Sequence, residues 1–244
     1  MSAYNLTYKP YGSRAILVEW PSKIDKNILR DVILFKNKIL RDRGEVILEV
    51  INTYNSLTII YHTTIKKIYN EFSTLKSIYK ASFDNISVKK YRWKIPVCYD
   101  VKFGIDLTEM AAKIELKKEE IIALHSTAVY TVFFIGFLPG FLYLGGLDKR
   151  LFFARKSTPR LTVEKGSVGI AGMQTGVYPS QSSGGWNIIG RTPVSFFNPQ
   201  AEVPCFAKPG DEIQFSGISL ATYEQLKTQV DIGFYKPQKI AIDD

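Results

Sequence analysis

Glycine is concentrated in one part of the chain, and this distribution limits the folds available to it. Eleven of the 17 glycines lie within residues 136–190, interspersed with Val, Ile, Phe, Tyr and Trp. Glycine among core-forming residues marks positions that need a positive φ or a close backbone approach. The stretch therefore predicts short strands joined by tight corners, as in a small β-barrel. Only two glycines precede residue 96, so the first part of the chain is expected to fold differently.

The charge is divided at the same place. The formal net charge is +9, and residues 1–95 carry all of it, with 17 basic and 8 acidic side chains. Residues 96–244 hold 15 of each sign and sum to zero. We therefore expect two unlike domains, a basic one at residues 1–90 and a charge-balanced one at residues 91–244.

The order of elements in the first domain predicts a small ferredoxin-like α/β sandwich. The predicted elements are strand 14–20, helix 25–43, strands 46–51 and 56–61, helix 63–79 and strand 87–93. The helices follow from apolar residues at three- and four-residue spacing, and the strands from short β-rich runs. Asp25 is expected to cap the first helix, and Gly44 to end it.

The basic side chains of this domain lie mostly between the apolar positions of its helices. They are Lys23, Lys26, Arg30, Lys36, Lys38, Arg41, Arg43, Lys66, Lys67, Lys76 and Lys80. This placement predicts either a solvated helix surface or a docking surface for an acidic partner. The residues are not clustered with aromatics in a recognition motif, so no nucleic-acid partner is expected.

The second domain is predicted to begin with helices and to continue as short strands. Its first predicted elements are extended segment 94–99, helices 106–113 and 117–130, and buried strand 130–138. His125 follows Ile121 by four residues and Ile122 by three, which places it near the apolar side of its helix. Two interpretations remain open for His125: a hydrogen-bonded core histidine or a site residue.

Several classes of protein are not expected. No run of about 18 apolar residues occurs, so no membrane span is predicted. The first ten residues lack the apolar stretch of an export signal, which favours a cytoplasmic protein. Cys98 and Cys205 lie far apart and in no metal-type spacing, so free thiols and no metal site are expected.

No recognised nucleotide or nucleophile motif is present. The glycines at residues 166–172 have the spacing G-x-x-G-x-x-G, which differs from the dinucleotide-binding pattern, and no Walker lysine with Ser or Thr follows. There is no G-x-S-x-G elbow either. The sequence by itself therefore identifies neither an ATP site nor a nucleophile.

A set of polar and aromatic residues nonetheless sits beside Gly or Pro in the glycine-rich part. The set is Arg155, Arg160, Gln174, Thr175, Tyr178, Trp186, Asn187 and Arg191. Guanidinium groups bind carboxylate or phosphate through paired hydrogen bonds, and an amide supplies one donor and one acceptor. As a group these residues predict a pocket for a small polar anion or amide, although each alone also suits a turn.

Longer motifs in the same region resemble one known family. Residues 137–147 (Phe-Leu-Pro-Gly-Phe-Leu-Tyr-Leu-Gly-Gly-Leu), 158–160 (Thr-Pro-Arg), 166–179 and 184–193 carry the resemblance. The family is the B subunit of prokaryotic 5-oxoprolinase, also described as allophanate hydrolase subunit 1 and as the KipI sporulation-kinase inhibitor. The resemblance covers about residues 90–216.

The resemblance implies a fold and an activity. The second domain is expected to be a cyclophilin-like β-barrel, giving an α+β chain with the ferredoxin-like sandwich first. The chain would act with a sister C subunit, together with an A subunit, to open 5-oxo-L-proline to L-glutamate. ATP, together with Mg²⁺, would be the co-substrate.

The resemblance also implies a set of site residues. The expected catalytic residues are His125, Arg160 and Gln174, and the expected substrate-binding residues are Arg155, Thr175, Tyr178, Trp186 and Arg191. Arg155 and Thr175 are included because they belong to the polar set beside Gly or Pro, and the other six follow from the resemblance. In this hypothesis Arg160 and Arg191 hold carboxylate or phosphoryl oxygens, and Gln174 reads the amide. His125 would move a proton if it reaches the pocket.

Two alternatives belong to other classes. A KipI-like regulatory protein would bind a sensor histidine kinase and inhibit it by contact alone. A component of an allophanate hydrolase or urea carboxylase-type carboxyltransferase would be one fragment of a larger machine, since the chain has no evident biotin-attachment motif.

Overall fold

A computed structural model describes residues 4–81 and 89–242. The chain forms two compact units, Met1–Val88 and Lys89–Asp244, and each has its own apolar core. Among the described residues, no helix combines the length and apolar character needed to cross a bilayer.

The first unit is a four-stranded antiparallel sheet with two helices. Its elements are β1 (Thr7–Pro10), β2 (Ala15–Glu19), α1 (Lys26–Arg43), β3 (Ile47–Asn52), β4 (Ser56–Tyr61) and α2 (Ile68–Lys80). The Asp25 carboxylate accepts hydrogen bonds from the backbone N–H groups of Asn27, at 2.6 Å, and Ile28, at 3.4 Å. Such a cap satisfies N–H groups that have no partner within the helix. The predicted cap, helix α1 and the β3–β4 hairpin are confirmed.

The second helix begins later than the apolar spacing predicts, at Ile68 instead of residue 63. The segment before the helix has a tertiary contact, since the backbone N–H of Ile65 donates to the carbonyl of Ser13 at 3.0 Å. Residue 65 is therefore fixed against the segment before β2.

The strand order also differs from the predicted one. The sheet runs β1-β2-β4-β3, so the place beside β2 belongs to Thr7–Pro10, a strand that precedes it in the chain. The strand predicted at 87–93 lies in the sheet of the second unit as part of β5, Lys90–Cys98, and residues 82–88 lie outside the described residues. β5 pairs in parallel with a strand of that unit over seven residues, from Arg92 to Cys98. This long ladder commits it to the second sheet.

Lys38 is not part of a solvated helix surface. Its side chain is 8% exposed, and its ammonium donates to the carbonyls of Tyr79, at 3.0 Å, and Ala81, at 2.6 Å. These carbonyls lie at the C-terminal end of α2, where backbone acceptors lack partners within the helix. Lys38 therefore joins the two helices, while Lys66 and Lys67 remain exposed.

The second unit is a closed β-barrel with helices around it. Its remaining strands are β6 (Val129–Ile135), β7 (Leu142–Gly145), β8 (Arg160–Val163), β9 (Ser167–Ala171), β10 (Gln174–Val177), β11 (Ser182–Gly184), β12 (Asn187–Arg191), β13 (Glu212–Ile218) and β14 (Gln238–Ile242). Its helices are α3 (Leu107–Ile114), α4 (Lys118–Thr127) and α5 (Leu220–Asp231).

Seven strands close the barrel in the order β12-β9-β10-β7-β6-β13-β5, and β5 returns to β12 where Cys98 pairs with Arg191. Gly190 allows this closure, since a Cβ there would lie 2.8 Å from the carbonyl oxygen of Cys98. β14 pairs with β5, and β8 pairs with β11 in a separate two-stranded sheet, here called the flap. The predicted α+β chain, a small sandwich followed by a barrel, is confirmed.

Candidate functional site

A second apolar cluster lies apart from the barrel core. It contains Phe141, Val163, Ala171, Tyr178, Trp186 and Ile188. The ring centroid of Phe141 lies 5.6 Å from that of Tyr178 and 5.3 Å from that of Trp186, both edge to face. Such pairs stabilise a fixed arrangement of the rings beyond the effect of burial alone. We call this group the Trp186 cluster.

Strand β10 divides its side chains between the two clusters. Thr175 is fully buried, and Val177 belongs to the barrel core. Gly176 faces the other way, because a Cβ there would lie 3.2 Å from ring carbons of both Phe141 and Trp186. Since side chains alternate along a strand, Gln174 lies on the same face as Gly176.

Arg155 lies against the exposed side of the Trp186 cluster. Its guanidinium carbon is 5.8 Å from the centroid of the Trp186 ring, within the range of a cation–π contact. No carboxylate in the described part of the chain forms an ion pair with Arg155. The site therefore presents a cation whose charge is not neutralised by a neighbouring side chain.

Two phenols lie close to this cation. Burial raises the pKa of Tyr143, and the charge of Arg155 offsets part of that effect. Burial also raises the pKa of Tyr178, opposed by a hydrogen bond from the backbone of Trp186 and by the charge of Arg155. Both hydroxyl groups therefore stay protonated at neutral pH and are able to donate hydrogen bonds.

Arg160 does not have a free guanidinium. Its Nη2 donates to Oδ1 of Asp106 at 2.5 Å, and Nζ of Lys156 lies 2.9 Å from the same oxygen. Oδ2 of Asp106 accepts the backbone N–H of Ile188 at 2.7 Å. The expectation that Arg160 holds substrate oxygens does not fit this geometry, because a buried carboxylate already occupies the guanidinium.

Asp106 is the central residue of this network and was not among the expected site residues. It is 3% exposed and links α3, the flap, the segment before the flap and β12. Burial raises its pKa, but the hydrogen bonds from Arg160, Lys156 and Ile188 outweigh that effect, so the pKa lies below its ordinary value. The charged form of Asp106 therefore holds residues 156–160 in place.

His125 lies inside the barrel, with no exposed surface. The hydroxyl of Thr175 donates to the carbonyl of Gly169 at 3.0 Å, so it accepts from Nε2 of His125, 2.8 Å away. Nδ1 of His125 then accepts from the hydroxyl of Tyr99 at 2.7 Å. Because a hydroxyl has one proton to give, these contacts assign the proton of the imidazole to Nε2.

Burial lowers the pKa of His125 to about 3, so the imidazole is neutral at physiological pH. Its ring stacks on Phe215 with a centroid distance of 4.7 Å. Of the two interpretations that the sequence left open, this geometry favours the hydrogen-bonded core histidine. The expected proton transfer by His125 is not supported, since both ring nitrogens are occupied within the core.

Arg191 lies at the opposite end of β12 from Trp186. Five residues along an extended strand correspond to about 16 Å. Its guanidinium carbon is 5.2 Å from the ring centroid of Phe103. Its Nη2 lies 4.0 Å from Oε2 of Glu164. The structure therefore brings Arg155, Gln174, Tyr178 and Trp186 to one face, and Arg191 does not join them.

No metal centre is evident in the part of the chain that the structure describes. Within residues 4–81 and 89–242, no three His, Cys, Asp or Glu side chains are grouped so as to hold an ion. Cys98 and Cys205 are both free thiols. The face around Trp186 carries a guanidinium, an amide and two phenols, which are groups able to hydrogen-bond an anion or an amide.

Comparison with known proteins identifies the family. Residues 6–207 match the family described as the carboxyltransferase domain, subdomain C and D. The chain is 35% identical to the 5-oxoprolinase B subunit of Bacillus subtilis over 228 residues, which cover 89% of this chain and 95% of that protein. It is 33% identical to the 5-oxoprolinase B subunit of Haemophilus influenzae, over 86% of this chain and 98% of that protein.

The fold has also been seen in a much longer protein. The structure of the Kluyveromyces lactis urea amidolyase matches 98% of this chain with a TM-score of 0.81 at 21% identity. At 21% identity this likeness shows the fold alone, and the matched part is 16% of that protein's chain. The family match over most of the chain and the two bacterial relatives together confirm the resemblance carried by the glycine-rich motifs. The chain belongs to the carboxyltransferase-domain family that includes the 5-oxoprolinase B subunits.

Proposed function

We propose that this protein is the B subunit of an ATP-dependent 5-oxoprolinase of the cytoplasm, and that it acts with the C and A subunits of that enzyme. The identity to proteins of that name supports the proposal. The observation that carries it is the position of Arg155, a cation without a carboxylate partner among the described residues, over the face of Trp186.

The substrate has two features that this face suits. 5-Oxo-L-proline is a flat five-membered lactam with one carboxylate. A guanidinium binds a carboxylate through two parallel hydrogen bonds, and an aromatic ring offers a flat apolar wall for the lactam. In this proposal Arg155 holds the carboxylate and Trp186 supports the ring.

The lactam amide needs a donor and an acceptor. Gln174 lies on the same face of β10 as the Trp186 cluster, and its amide supplies both. The protonated hydroxyl group of Tyr143, a partly exposed residue, adds a donor near the same place, while Tyr178 is buried behind it. Opening a resonance-stabilised amide benefits from activation of its oxygen, and ATP would supply that phosphoryl group. The tasks proposed for this chain are binding and orientation, which lower the barrier by fixing the reacting geometry.

Arg160 has a positioning task in this proposal. Its ion pair with Asp106 holds the flap against β12, and Lys156 adds a second contact to the same carboxylate. Arg155 directly precedes Lys156 in the chain. The network therefore holds the backbone next to Arg155 in place, although neither Arg160 nor Asp106 is free to bind substrate.

Assay of the assembled complex tests the proposal. The three 5-oxoprolinase subunits are co-expressed, and ADP release is measured as a function of 5-oxoproline concentration. Arg155→Met is expected to raise KM for 5-oxoproline about tenfold to a hundredfold, because the loss of one charge-assisted hydrogen bond weakens binding by about that factor. The matched control is Arg150→Met, since Arg150 is an exposed arginine whose guanidinium already pairs with Asp148 at 2.7 Å. Full activity without this chain, or an unchanged KM in Arg155→Met, would contradict the proposal.

A further inference from the structure

Phe137 has a backbone conformation that an aromatic residue rarely adopts. Its φ is +67°, in the left-handed region that a Cβ makes unfavourable. Glu115 is the other described non-glycine residue with positive φ, and it ends helix α3, where a left-handed residue is common. Phe137 does not end a helix and is instead the central residue of a γ-turn, in which Leu138 N–H donates to the Gly136 carbonyl at 2.8 Å. A γ-turn with positive φ at its centre is rare and strained.

Burial of the side chain does not compensate for this conformation, because Phe137 is 61% exposed. The turn is held by its backbone instead. Gly136 N–H donates to the Phe141 carbonyl at 3.1 Å, and Phe141 N–H donates to the Leu138 carbonyl at 3.0 Å. The adjacent Gly140 leaves no room for a Cβ, which would lie 2.7 Å from the Cβ of Phe197. The base of the turn is therefore fixed while the ring of Phe137 stays at the surface.

The ring of Phe137 lies next to the candidate site. It contacts the ring of Phe141 edge to face, with a centroid distance of 5.5 Å. Phe141 in turn contacts Trp186 at 5.3 Å and Tyr143 at 5.1 Å. Phe137 is thus the exposed end of a row of rings that leads to Trp186 and Arg155.

We propose that Phe137 is a substrate-contacting residue that covers the apolar ring atoms of the bound lactam. This inference rests on the proposed function and adds a specificity residue to the same site. Strained backbone conformations persist where the surrounding structure enforces them, and they are common at binding sites. Here the strained turn holds an apolar ring at the edge of a site that otherwise consists of the Trp186 ring and polar or charged groups.

The variant Phe137→Gly separates a binding role from a structural one. Glycine adopts positive φ without steric cost, so the melting temperature is expected to be unchanged or higher. KM for 5-oxoproline in the three-subunit complex is expected to rise about two- to tenfold, the range of one aromatic contact, with kcat retained. Phe137→Leu keeps an apolar side chain and is expected to recover part of the loss in KM.

Phe234→Gly is the matched control, because Phe234 is also a highly exposed phenylalanine and lies beyond α5. A change in KM no larger than that of the control would overturn the inference. A loss in melting temperature larger than that of the control would also overturn it, since the ring would then be a structural support. A wild-type complex without 5-oxoproline-dependent ADP release would instead refute the proposed function, and the inference with it.

Discussion

The variant Asp106→Asn tests the account of the site most directly. Asp106 is buried and accepts from Arg160, Lys156 and the backbone of Ile188. Asparagine keeps the shape but removes the charge and replaces one acceptor oxygen with a donor. In one orientation of the asparagine amide its NH₂ group faces the N–H of Ile188. In the other orientation it faces the cations of Arg160 and Lys156. The network loses at least one hydrogen bond and its only buried anion.

The expected loss of stability in Asp106→Asn depends on how far the side chains of Arg160 and Lys156 are exposed to water. Removing one member of a buried ion pair costs about 3–5 kcal/mol. The side chains of Arg160 and Lys156 are 28% and 20% exposed, so water takes over part of their solvation. We therefore expect the lower end of that range, about 3 kcal/mol. For a protein of this size that corresponds to a fall in melting temperature of about 6–12 °C.

Calorimetry of the isolated chain at several pH values measures this effect. The pKa of Asp106 is lower in the folded protein than its ordinary value, so its contribution to stability is complete above the unfolded pKa of about 3.9. The contribution is lost as the pH falls through the folded pKa. The wild type should therefore be more stable than Asp106→Asn at pH 7, and the difference should shrink below about pH 4.

Glu109→Gln is the matched control. Glu109 pairs with Lys113 at 2.7 Å and Lys156 at 3.3 Å, but half of its side-chain surface is exposed. Exposed pairs contribute about 0–1 kcal/mol, so this variant should melt near the wild type. If Asp106→Asn also melts within about 1 °C of the wild type at pH 7, the proposed role of the network is wrong.

Two further predictions concern the barrel interior and the flap. As the pH falls from 6 to 4, His125 should lower the unfolding free energy of the wild type by up to about 1.4 kcal/mol per pH unit. The reason is that the folded imidazole, with a pKa of about 3, resists the proton that the unfolded chain takes up. His125→Gln should lack this slope in calorimetry, and an equal slope would assign it to other groups. Gly184→Ala should raise KM and destabilise the chain by about 1–3 kcal/mol in thermal melts, because its Cβ would overlap the Tyr178 hydroxyl. Gly185→Ala, whose Cβ would lie 3.4 Å from the Lys156 carbonyl oxygen, should be tolerated, and equal effects of the two would contradict the packing argument.

Local patterns predicted the parts of the fold that local interactions determine. Helix α1 follows from its apolar spacing and its Asp25 cap, and the barrel corners follow from the glycines of residues 136–190. The order of the first sheet was not predictable in this way. β1 has four residues and ends in a proline, so its sequence pattern is too short to predict a strand, whereas the pattern of the nine-residue β5 is long enough.

The candidate site shows the same limit. Arg160 and Asp106 are 54 residues apart, and nothing in the sequence near either residue indicates their ion pair. Asp106 carried only the signal of a helix start. Of these three guanidinium groups, that of Arg155 is the one without a carboxylate partner among the described residues, and nothing in the local sequence ranks it above Arg160 or Arg191. Ranking them required knowing which carboxylates the fold brings near each one.

The density of polar residues in the motif at residues 174–178 has a physical explanation in the pleat of β10. Successive side chains point to opposite faces, and both faces of this strand are covered. Thr175 satisfies the buried imidazole of His125 on the inner face, while Gln174 and Tyr178 belong to the outer face with Trp186. Adjacent polar residues of this motif therefore lie in two places: Thr175 completes the core, and Gln174 and Tyr178 lie on the face of the proposed site. A substitution of Thr175 should change KM for 5-oxoproline only by shifting the strand. A substitution of Gln174 should change KM by removing a contact with the proposed ligand.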